Sequence, residues 1–466
     1  MTSRQTELLI GLNRDHPATL RAQIETQLRE AIRAGSLKTG VVLPSSRELS
    51  RQLAVSRPLV SEAYAQLAAE GYLAIRQGAL PVVTAASNSD PQAPLAAAAK
   101  PAAAPLLRYD FRIGLPDLTS FPKSLWLKAT GKALAQMEPN DFGYGDRHGV
   151  LPLRVALADY LGRVRGVIAT PDQIVVTGGF EASRSLFARA LRKVGVAAMA
   201  IEDPGHTNLA ALIAAGLELV KVPVDAFGID IEKVTSTTVA AALVTPSHQY
   251  PTGVVLSPER RHNLLAWLRE RNGFVLEDDY DAEFRYDRRP VAALQGLDPN
   301  TVVYAGTASK ALAPALRLGW LVVPHRLLED LQAEQRISDY GVSRIDQHAL
   351  AVLITSGEYD RHLRRMRLQY RRRRQMLINA LAEFMPDATV TGIAAGLHAS
   401  VTVPRHYDEE KFASVAARMG LAVSMLTHHF IATGPASTTL LVGFSTVSES
   451  NIRPGIRALA TALAYE

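Results

Sequence analysis

Hydrophobic residues follow two different patterns along this chain. Up to residue 84 they recur at helical spacing, and one apolar helical face is formed by Leu20, Ile24, Leu28, Ala31 and Ile32. Beyond residue 107, short apolar runs typical of buried strands alternate with helical stretches; these runs are 173–176, 196–201, 240–244 and 301–305. The alternation predicts an α/β region with a mainly parallel central sheet and helices on both of its faces.

The N-terminal region predicts a mostly α-helical unit that ends in a hairpin. Gly35 ends the first helix, Ser45 and Glu48 have capping-box spacing at the start of a second, and Ser56 caps a third. The segment 71–84 has the pattern of two short strands. Three short helices followed by a hairpin indicate a winged helix-turn-helix, a DNA-binding unit.

A stretch rich in alanine and proline, residues 85–107, separates the two regions and has no periodic apolar face. We expect it to be a linker between a winged helix-turn-helix at 1–84 and an α/β domain at 108–466. The length of 466 residues exceeds what one hydrophobic core usually organises, and 47% apolar content is ample for globular packing.

Composition narrows the possible chemistry and location. The chain has no cysteine, which excludes disulfides, thiol catalysis and zinc fingers. Its net charge of +6 favours a polyanionic partner. The sequence shows neither an apolar run of membrane-spanning length nor an export leader, so a cytoplasmic location is expected.

Lys310 lies in a run that suits one particular chemistry. Thr307 and Ser309 precede it, and Arg317 follows seven residues later. Hydroxyl groups and an arginine grip a phosphate, while a second cation helps a lysine to lose its proton and condense with an aldehyde. The run therefore predicts a site for pyridoxal 5'-phosphate, against the plainer interpretation of an exposed loop lysine.

A pyridoxal site also needs an acid that keeps the ring nitrogen protonated. The segment 273–286 reads as a buried strand that ends in several carboxylates. Ligands of α/β sheets bind beyond the carboxyl ends of the strands, which favours a site here. We expect Asp278 to contact the ring nitrogen and Tyr280 to hydrogen-bond the ring hydroxyl.

Several separate motifs occur along the chain in the same order as in known protein families. From about residue 108 the chain resembles a fold-type I aminotransferase, and the segments 109–117, 143–146, 202–205 and 246–253 resemble the MocR branch of the GntR regulators. The N-terminal region is similar to the GntR DNA-binding domain. The resemblance implies DNA contacts at Arg47, Ser56, Arg57, Gln77 and Gly78, on a double-stranded operator.

The same resemblance implies further contacts with the cofactor. Tyr144 would reach the cofactor phosphate of the neighbouring subunit, which implies a head-to-tail homodimer. His248 and Gln249 would lie near the ring, although either residue taken alone is more often a structural polar group with satisfied hydrogen bonds. In the phosphate loop, Gly179, Phe180 and Glu181 stand where the family usually has Thr-Gln-Gln after its glycine. Glu181 would repel the phosphate unless it points away.

Other departures concern the ring, the substrate and the DNA. His206 stands where relatives place an aromatic ring over the cofactor. No arginine occurs between Arg418 and Arg453, where amino-acid-binding relatives supply one for the carboxylate, although His428 and His429 offer substitutes. In the winged unit, Pro58-Leu59 and Ala79-Leu80-Pro81 leave fewer side chains for base contacts, which favours phosphate contacts and DNA shape.

The basic run 361–374 has two interpretations. It is either a second DNA-facing patch or the solvated side of a helix whose Leu363, Met366 and Tyr370 pack inward, and the second is preferred.

Together these features predict a dimeric transcription regulator with an aminotransferase-like domain. We expect it to sense pyridoxal phosphate or an amine effector through an aldimine on Lys310 and to bind DNA through its winged unit. The alternatives are an active aminotransferase with an accessory domain and a regulator whose cofactor site has degenerated.

Overall fold

The computed structural model describes residues 10–76, 78–84, 107–235, 239–281, 283–286, 291–338, 341–392, 395–431 and 438–465. The chain divides into two compact units, residues 1–104 and 105–466. The helices are α1 Leu20–Arg33, α2 Ser46–Gln52, α3 Arg57–Ala69, α4 Lys123–Gln136, α5 Leu151–Arg165, α6 Phe180–Lys193, α7 Ala210–Ala214, α8 Ile231–Thr235, α9 Pro258–Glu270, α10 His325–Ser338, α11 Arg344–Thr355, α12 Glu358–Phe384, α13 Glu409–Arg418 and α14 Glu449–Ala464. The strands are β1 Leu73–Ala74, β2 Val82–Val83, β3 Tyr109–Phe111, β4 Ile174–Thr177, β5 Ala198–Asp203, β6 Glu218–Asp225, β7 Gly228–Ile229, β8 Ala241–Val244, β9 Phe274–Asp278, β10 Val302–Thr307, β11 Gly319–Val322, β12 Thr389–Thr391, β13 His398–Thr402, β14 Leu421–Met425 and β15 Thr439–Gly443.

The first unit contains the three predicted helices and the predicted hairpin. Strands β1 and β2 pair antiparallel, and the helices enclose a small apolar core that includes Ile24, Leu28, Leu49 and Val60. Gly35 follows α1 with a φ of 73°, a left-handed conformation that favours glycine after a helix. The pattern of apolar positions therefore predicted this unit correctly.

Two of the predicted caps differ in their details. The Ser45 hydroxyl accepts a hydrogen bond from the Glu48 amide at 3.1 Å, but the Glu48 carboxylate binds the Arg51 guanidinium at 2.7 Å. Arg51, three residues after Glu48, offers the Glu48 carboxylate a charged partner, so only half of the capping box forms. Ser56 occupies the N-cap of α3, and its side chain makes no capping hydrogen bond.

The second unit is built on an eight-stranded sheet with the order β4-β11-β10-β9-β8-β5-β6-β7. Strands β10, β9, β8, β5 and β6 pair in parallel, whereas β11 and β7 run antiparallel to their neighbours. Successive residues Val175 and Val176 of β4 enter different apolar clusters, so helices cover both faces. The mainly parallel sheet is confirmed, and its strands begin within two residues of the predicted runs.

A second sheet of five strands, order β12-β13-β15-β14-β3, lies in the same unit. The long helix α12 carries the basic run, and Leu363, Met366 and Tyr370 are buried as predicted. In the part of the chain that the structure describes, no helix has both the length and the apolar character needed to cross a membrane.

Candidate functional site

A pocket of about 340 Å³ opens at the edge of the large sheet where the parallel strands end. Asp278 and Thr307 are the last residues of neighbouring strands β9 and β10, so their side chains reach the same edge. The pocket is lined by Gly114, Leu115, Phe180, Glu181, His206, Tyr250, Asp278, Tyr280, Thr307, Ser309, Lys310, Pro314, Arg317, Leu397 and His398. The structure thus brings together nine of the eleven residues predicted for the cofactor.

Lys310 lies just beyond β10, with its amine directed across the pocket. Its Nζ donates a hydrogen bond to the carbonyl of Gly114 at 2.5 Å. Burial lowers the pKa of Lys310, and the charges of Asp278 and Asp281 oppose this effect. A buried lysine with a lowered pKa holds a larger share of the neutral amine that attacks a carbonyl.

The buried Asp278 pairs with the partly buried His206 in the lining of the pocket. His206 Nε2 lies 2.9 Å from Asp278 Oδ2. Burial raises the pKa of Asp278, while the hydrogen bond and the charge of His206 lower it. The His206 ring also stacks on Tyr250, with centroids 4.9 Å apart, and lies 5.3 Å from the Phe180 ring. His206 is therefore both an aromatic platform and a partner of the carboxylate.

The other end of the pocket is suited to an oxyanion. The Thr307 hydroxyl donates to the Ser309 hydroxyl at 2.9 Å, and the Arg317 side chain lines the same wall. Gly179 has a φ of 99°, and a Cβ added there would lie 3.5 Å from Arg317 Nη1. Gly319 approaches even closer, since a Cβ on it would lie 2.8 Å from Gly179 Cα. Glycine at both positions lets the loop at Gly179, strand β11 and the Arg317 guanidinium lie close together.

Glu181 lies in this wall and is paired with a buried arginine. Its Oε2 accepts from Arg184 Nη2 at 2.5 Å and from Asn208 Nδ2 at 3.3 Å. Arg184 is fully buried, and its guanidinium lies 5.7 Å from the Phe180 ring. Sequence reasoning missed Arg184; its compensating charge changes the expected repulsion between Glu181 and a bound phosphate.

Tyr280 is supported from behind by a histidine. His248 Nδ1 lies 3.0 Å from the Tyr280 hydroxyl and 2.8 Å from Asp281 Oδ2. Gln249 lies beside the pocket. Its amide nitrogen donates to the Glu202 carboxylate and to the carbonyls of Pro204 and Tyr250, at 3.2, 2.9 and 2.7 Å. These bonds use its polar atoms to hold the backbone beside the pocket, and Gln249 does not line it.

One wall of the pocket was not predicted. Leu115, Tyr250, Leu397 and His398 form it, and His398 Nε2 lies 2.8 Å from the carbonyl of Pro251. Burial lowers the pKa of His398 to about 4, so its ring is neutral at pH 7. Tyr250 lay in a segment that the sequence singled out, whereas no local signal marked His398.

Three further predicted residues lie at different distances from the pocket. Tyr144 is 86% exposed and does not line the pocket of its own chain. His429 packs edge-on against Tyr250, with centroids 5.2 Å apart. His428 points elsewhere, since its Nε2 lies 3.5 Å from Glu409 Oε2 and its side chain is 70% exposed. Of the two histidines, His429 is thus the one beside the pocket.

These side chains match the functional groups of pyridoxal phosphate. Lys310 supplies the amine, Asp278 a buried carboxylate for the ring nitrogen, and Tyr280 a hydroxyl. Ser309 and Arg317 supply oxyanion partners beside the Gly179 cradle. Metal chemistry has no comparable support, because the described residues contain no cluster of three or more metal-ligating side chains.

The winged unit presents a separate candidate interface for DNA. Arg47, Ser56 and Arg57 are exposed near the N-termini of α2 and α3, where backbone amides favour phosphate groups. Gly78 has a φ of 79° in the turn between β1 and β2. Gln77 lies outside the described residues.

Comparison with protein families matches both units. Residues 116–459 match the family model "Aminotransferase class I and II", and residues 20–79 match "Bacterial regulatory proteins, gntR family". The N-terminal match lies within the unit formed by α1–α3 and the hairpin, and the second match covers the eight-stranded sheet and every strand of the five-stranded sheet except β3.

Individual relatives extend over nearly the whole chain. The HTH-type pyridoxine biosynthesis transcriptional regulator PdxR of Corynebacterium glutamicum is 33% identical, with 96% of each chain covered. The probable rhizopine catabolism regulatory protein MocR of Rhizobium meliloti is 32% identical, covering 97% of this chain and 96% of its own. Among solved structures, an archaeal alanine:glyoxylate aminotransferase has a TM-score of 0.71 at 24% identity, over 78% of this chain and 92% of its own. That last likeness concerns the fold.

Proposed function

This chain belongs to the MocR branch of the GntR transcription regulators, and we propose that it senses pyridoxal 5'-phosphate, or an amine that reacts with it, through Lys310. One observation carries the proposal. A buried lysine with a lowered pKa, a buried carboxylate and an arginine beside a glycine cradle converge in one pocket, at Lys310, Asp278 and Arg317.

Each residue has a defined task in the proposed site. Bound pyridoxal phosphate supplies an aldehyde that condenses with amines and a ring that withdraws electrons. Lys310 offers the neutral amine, and Asp278 holds a proton on the ring nitrogen. Arg317 and Ser309 bind the phosphate, and Tyr280, oriented by His248 and Asp281, donates to the ring hydroxyl.

The unpredicted wall supports a role for an amine effector. An amine entering beside Leu115, Tyr250, Leu397 and His398 would compete with Lys310 for the same aldehyde. Arg317 is the one arginine among the described lining residues, and we assign it to the phosphate. An α-carboxylate therefore lacks an arginine partner on this wall, which favours the vitamin itself or an amine without that group.

The aminotransferase alternative shares the same reactive groups. Efficient transamination of an amino acid needs a grip on its carboxylate to align the reacting bond, and the described wall offers neutral side chains. We therefore propose a regulator with low transaminase activity. Conversion of the bound cofactor to pyridoxamine phosphate by amino acids, at rates typical of enzymes, would establish the alternative.

Two parts of the proposal lie outside the pocket. The exposed Tyr144 is proposed to reach the phosphate in the pocket of a partner subunit, in a head-to-tail homodimer. Arg47, Ser56, Arg57, Gln77 and Gly78 are proposed to contact the operator, and a change at Lys310 would alter how the dimer engages it.

Borohydride reduction tests the central step. The full chain is incubated with pyridoxal phosphate, reduced, and measured by intact mass spectrometry and peptide mapping. The wild type is expected to gain one cofactor mass at Lys310, and Lys310→Ala to gain none there. Lys411→Ala, which removes an exposed lysine paired with Asp408, is the matched control. A wild type that gains no mass in excess cofactor contradicts the proposal and supports a degenerate site.

A further inference from the structure

A second concave site lies against α12, away from Lys310. It has a volume of about 300 Å³ and is called the arginine pocket here; it is lined by Arg285, Tyr286, Arg364, Arg367, Leu368 and Arg371. Three of its arginines recur at intervals of three and four residues, which places them on one face of the helix. The pocket therefore gathers positive charge in a concave place, where a ligand has several partners at once.

These arginines differ from three other arginines on the same helix. Arg361 pairs with Glu358, Arg372 with Glu449 and Arg373 with Asp117, at 2.6, 3.3 and 2.8 Å. Among the described residues, Arg364, Arg367 and Arg371 form no ion pair with a carboxylate.

The polar groups beside Arg364 and Arg367 provide no carboxylate partner for them among the described residues. The Asp360 carboxylate is bound by Arg163 at 2.7 Å, and Arg364 Nε reaches only the backbone carbonyl of Asp360, at 3.4 Å. Arg367 Nε is buried without a hydrogen-bond partner in the described structure. The Tyr286 hydroxyl donates to the Gly396 carbonyl at 2.6 Å. Like charges at helical spacing repel one another, and an unpartnered buried donor is costly.

A bound anion reduces the repulsion between the arginines and offers an acceptor to Arg367 Nε. The lining of the pocket limits which anions fit. Guanidinium groups bind phosphate through paired, charge-assisted hydrogen bonds. Tyr286 and the half-exposed Leu368 add apolar surface between the arginines, which suits the organic part of a ligand. The volume corresponds to the small end of ligand pockets.

We propose that the arginine pocket binds a small organic phosphate, with its phosphate groups on Arg364, Arg367 and Arg371 and its organic part against Tyr286 and Leu368. The site does not depend on the chemistry at Lys310. Its ligand would give the protein a second chemical input, on the helix that follows α11 and packs against α14.

Calorimetric titration of the full chain with ADP, and separately with inorganic pyrophosphate at constant ionic strength, tests the proposal. Arg367→Gln/Arg371→Gln is expected to raise both Kd values about tenfold or more, because two charge-assisted contacts are lost. Arg372→Gln, on the same helix and paired with Glu449, is the matched control and is expected to leave both Kd values unchanged. Equal melting temperatures of the double variant and the control exclude a folding defect.

Other outcomes overturn the proposal. The first is a wild type that binds neither probe, and the second is a double variant that binds both as tightly as the wild type. A loss of binding in Arg317→Gln would place the probes in the Lys310 pocket instead. If the double variant binds duplex DNA more weakly while both Kd values stay constant, the surface is a DNA contact.

Discussion

Arg184 and Glu181 form an ion pair one helical turn apart at the start of α6, and the guanidinium is buried while the carboxylate lines the pocket. The pair allows an acidic residue to stand beside a proposed phosphate site. Arg184→Met is expected to weaken pyridoxal phosphate binding about tenfold, because it exposes the phosphate to an uncompensated negative charge.

A double variant tests whether lost charge compensation explains the weaker cofactor binding of Arg184→Met. Glu181→Gln/Arg184→Met is expected to recover most of the lost affinity, with a coupling energy of about 1–2 kcal/mol between the two positions. Absorbance titration with the cofactor provides the Kd values, and melting temperatures control for the loss of a buried side chain. Additive effects of the two substitutions would show that Arg184 acts only through packing.

Arg317 combines a side chain that lines the pocket with a left-handed backbone, at a φ of 50°. Arg317→Gln and Arg317→Gly are both expected to raise the Kd for pyridoxal phosphate by at least about tenfold, because each removes the guanidinium. Without cofactor, the glycine variant is expected to be more stable than the glutamine variant by about 0.5 kcal/mol, since glycine tolerates this backbone conformation. Urea unfolding measures this difference, and the reverse order would contradict it.

His206 lowers the pKa of Asp278 through its hydrogen bond and charge, and its ring stacks on Tyr250. His206→Phe retains the ring but removes the hydrogen bond and charge that lower the pKa of Asp278, so that pKa is expected to rise further above its ordinary value. The variant is expected to bind pyridoxal phosphate more weakly than the wild type at low pH, with a deficit that shrinks as the pH rises and Asp278 ionises. A deficit that is the same at every pH would indicate a purely steric effect.

Glu202 links stability to pH. It is buried and accepts hydrogen bonds from Thr245 and Gln249, and burial raises its pKa from 4.5 to about 7. A pKa raised by folding adds stability that is complete below the unfolded pKa of 4.5 and is lost as pH rises through about 7. The loss attributable to this group is on the order of 3 kcal/mol.

The isosteric variant Glu202→Gln isolates that contribution. The difference in unfolding free energy between wild type and variant is expected to change across this pH window and to be constant on either side of it. Urea unfolding at a series of pH values measures it. A difference that does not vary with pH would show that Glu202 keeps one protonation state.

The winged unit gives a prediction about salt. Arg47→Ala and Arg57→Ala are each expected to weaken duplex DNA binding and to reduce the slope of log K against log salt by about 1, because each removes one proposed phosphate contact. Arg29→Ala is the matched control, since Arg29 is held by Glu70 at 2.8 Å. Fluorescence anisotropy at several salt concentrations provides the slopes, and an equal loss in all three variants would reflect net charge alone.

Much of this architecture follows from local sequence. The apolar runs predicted β4, β5, β8 and β10, because strands buried on both faces are apolar throughout. The placement of Asp278 and Thr307 at one edge then follows from the rule that parallel strands end together. Lys310 and Arg317 could be placed in the same site because they occur in one short run.

Other features depend on contacts between distant segments. His398 reaches the pocket because β13 pairs with β15 and the wall closes over Pro251, and neither event has a local signature. Pattern reasoning places a charged residue such as Arg184 on the surface, and only its bonds to Glu181 and the Asn208 carbonyl make burial possible. The hydrogen bonds of Gln249 could not be read from the sequence for the same reason, because its partners lie in other segments.

The contact between Gly179 and Gly319 has a mechanical meaning. No side chain separates the two backbones, so the phosphate loop packs directly against strand β11. We expect this contact to make the oxyanion end of the pocket rigid. The opposite wall, from Gly114 and Leu115 to Leu397 and His398, is carried by segments that adjoin strands of the five-stranded sheet. We therefore expect a bulkier ligand to displace the second wall rather than the first.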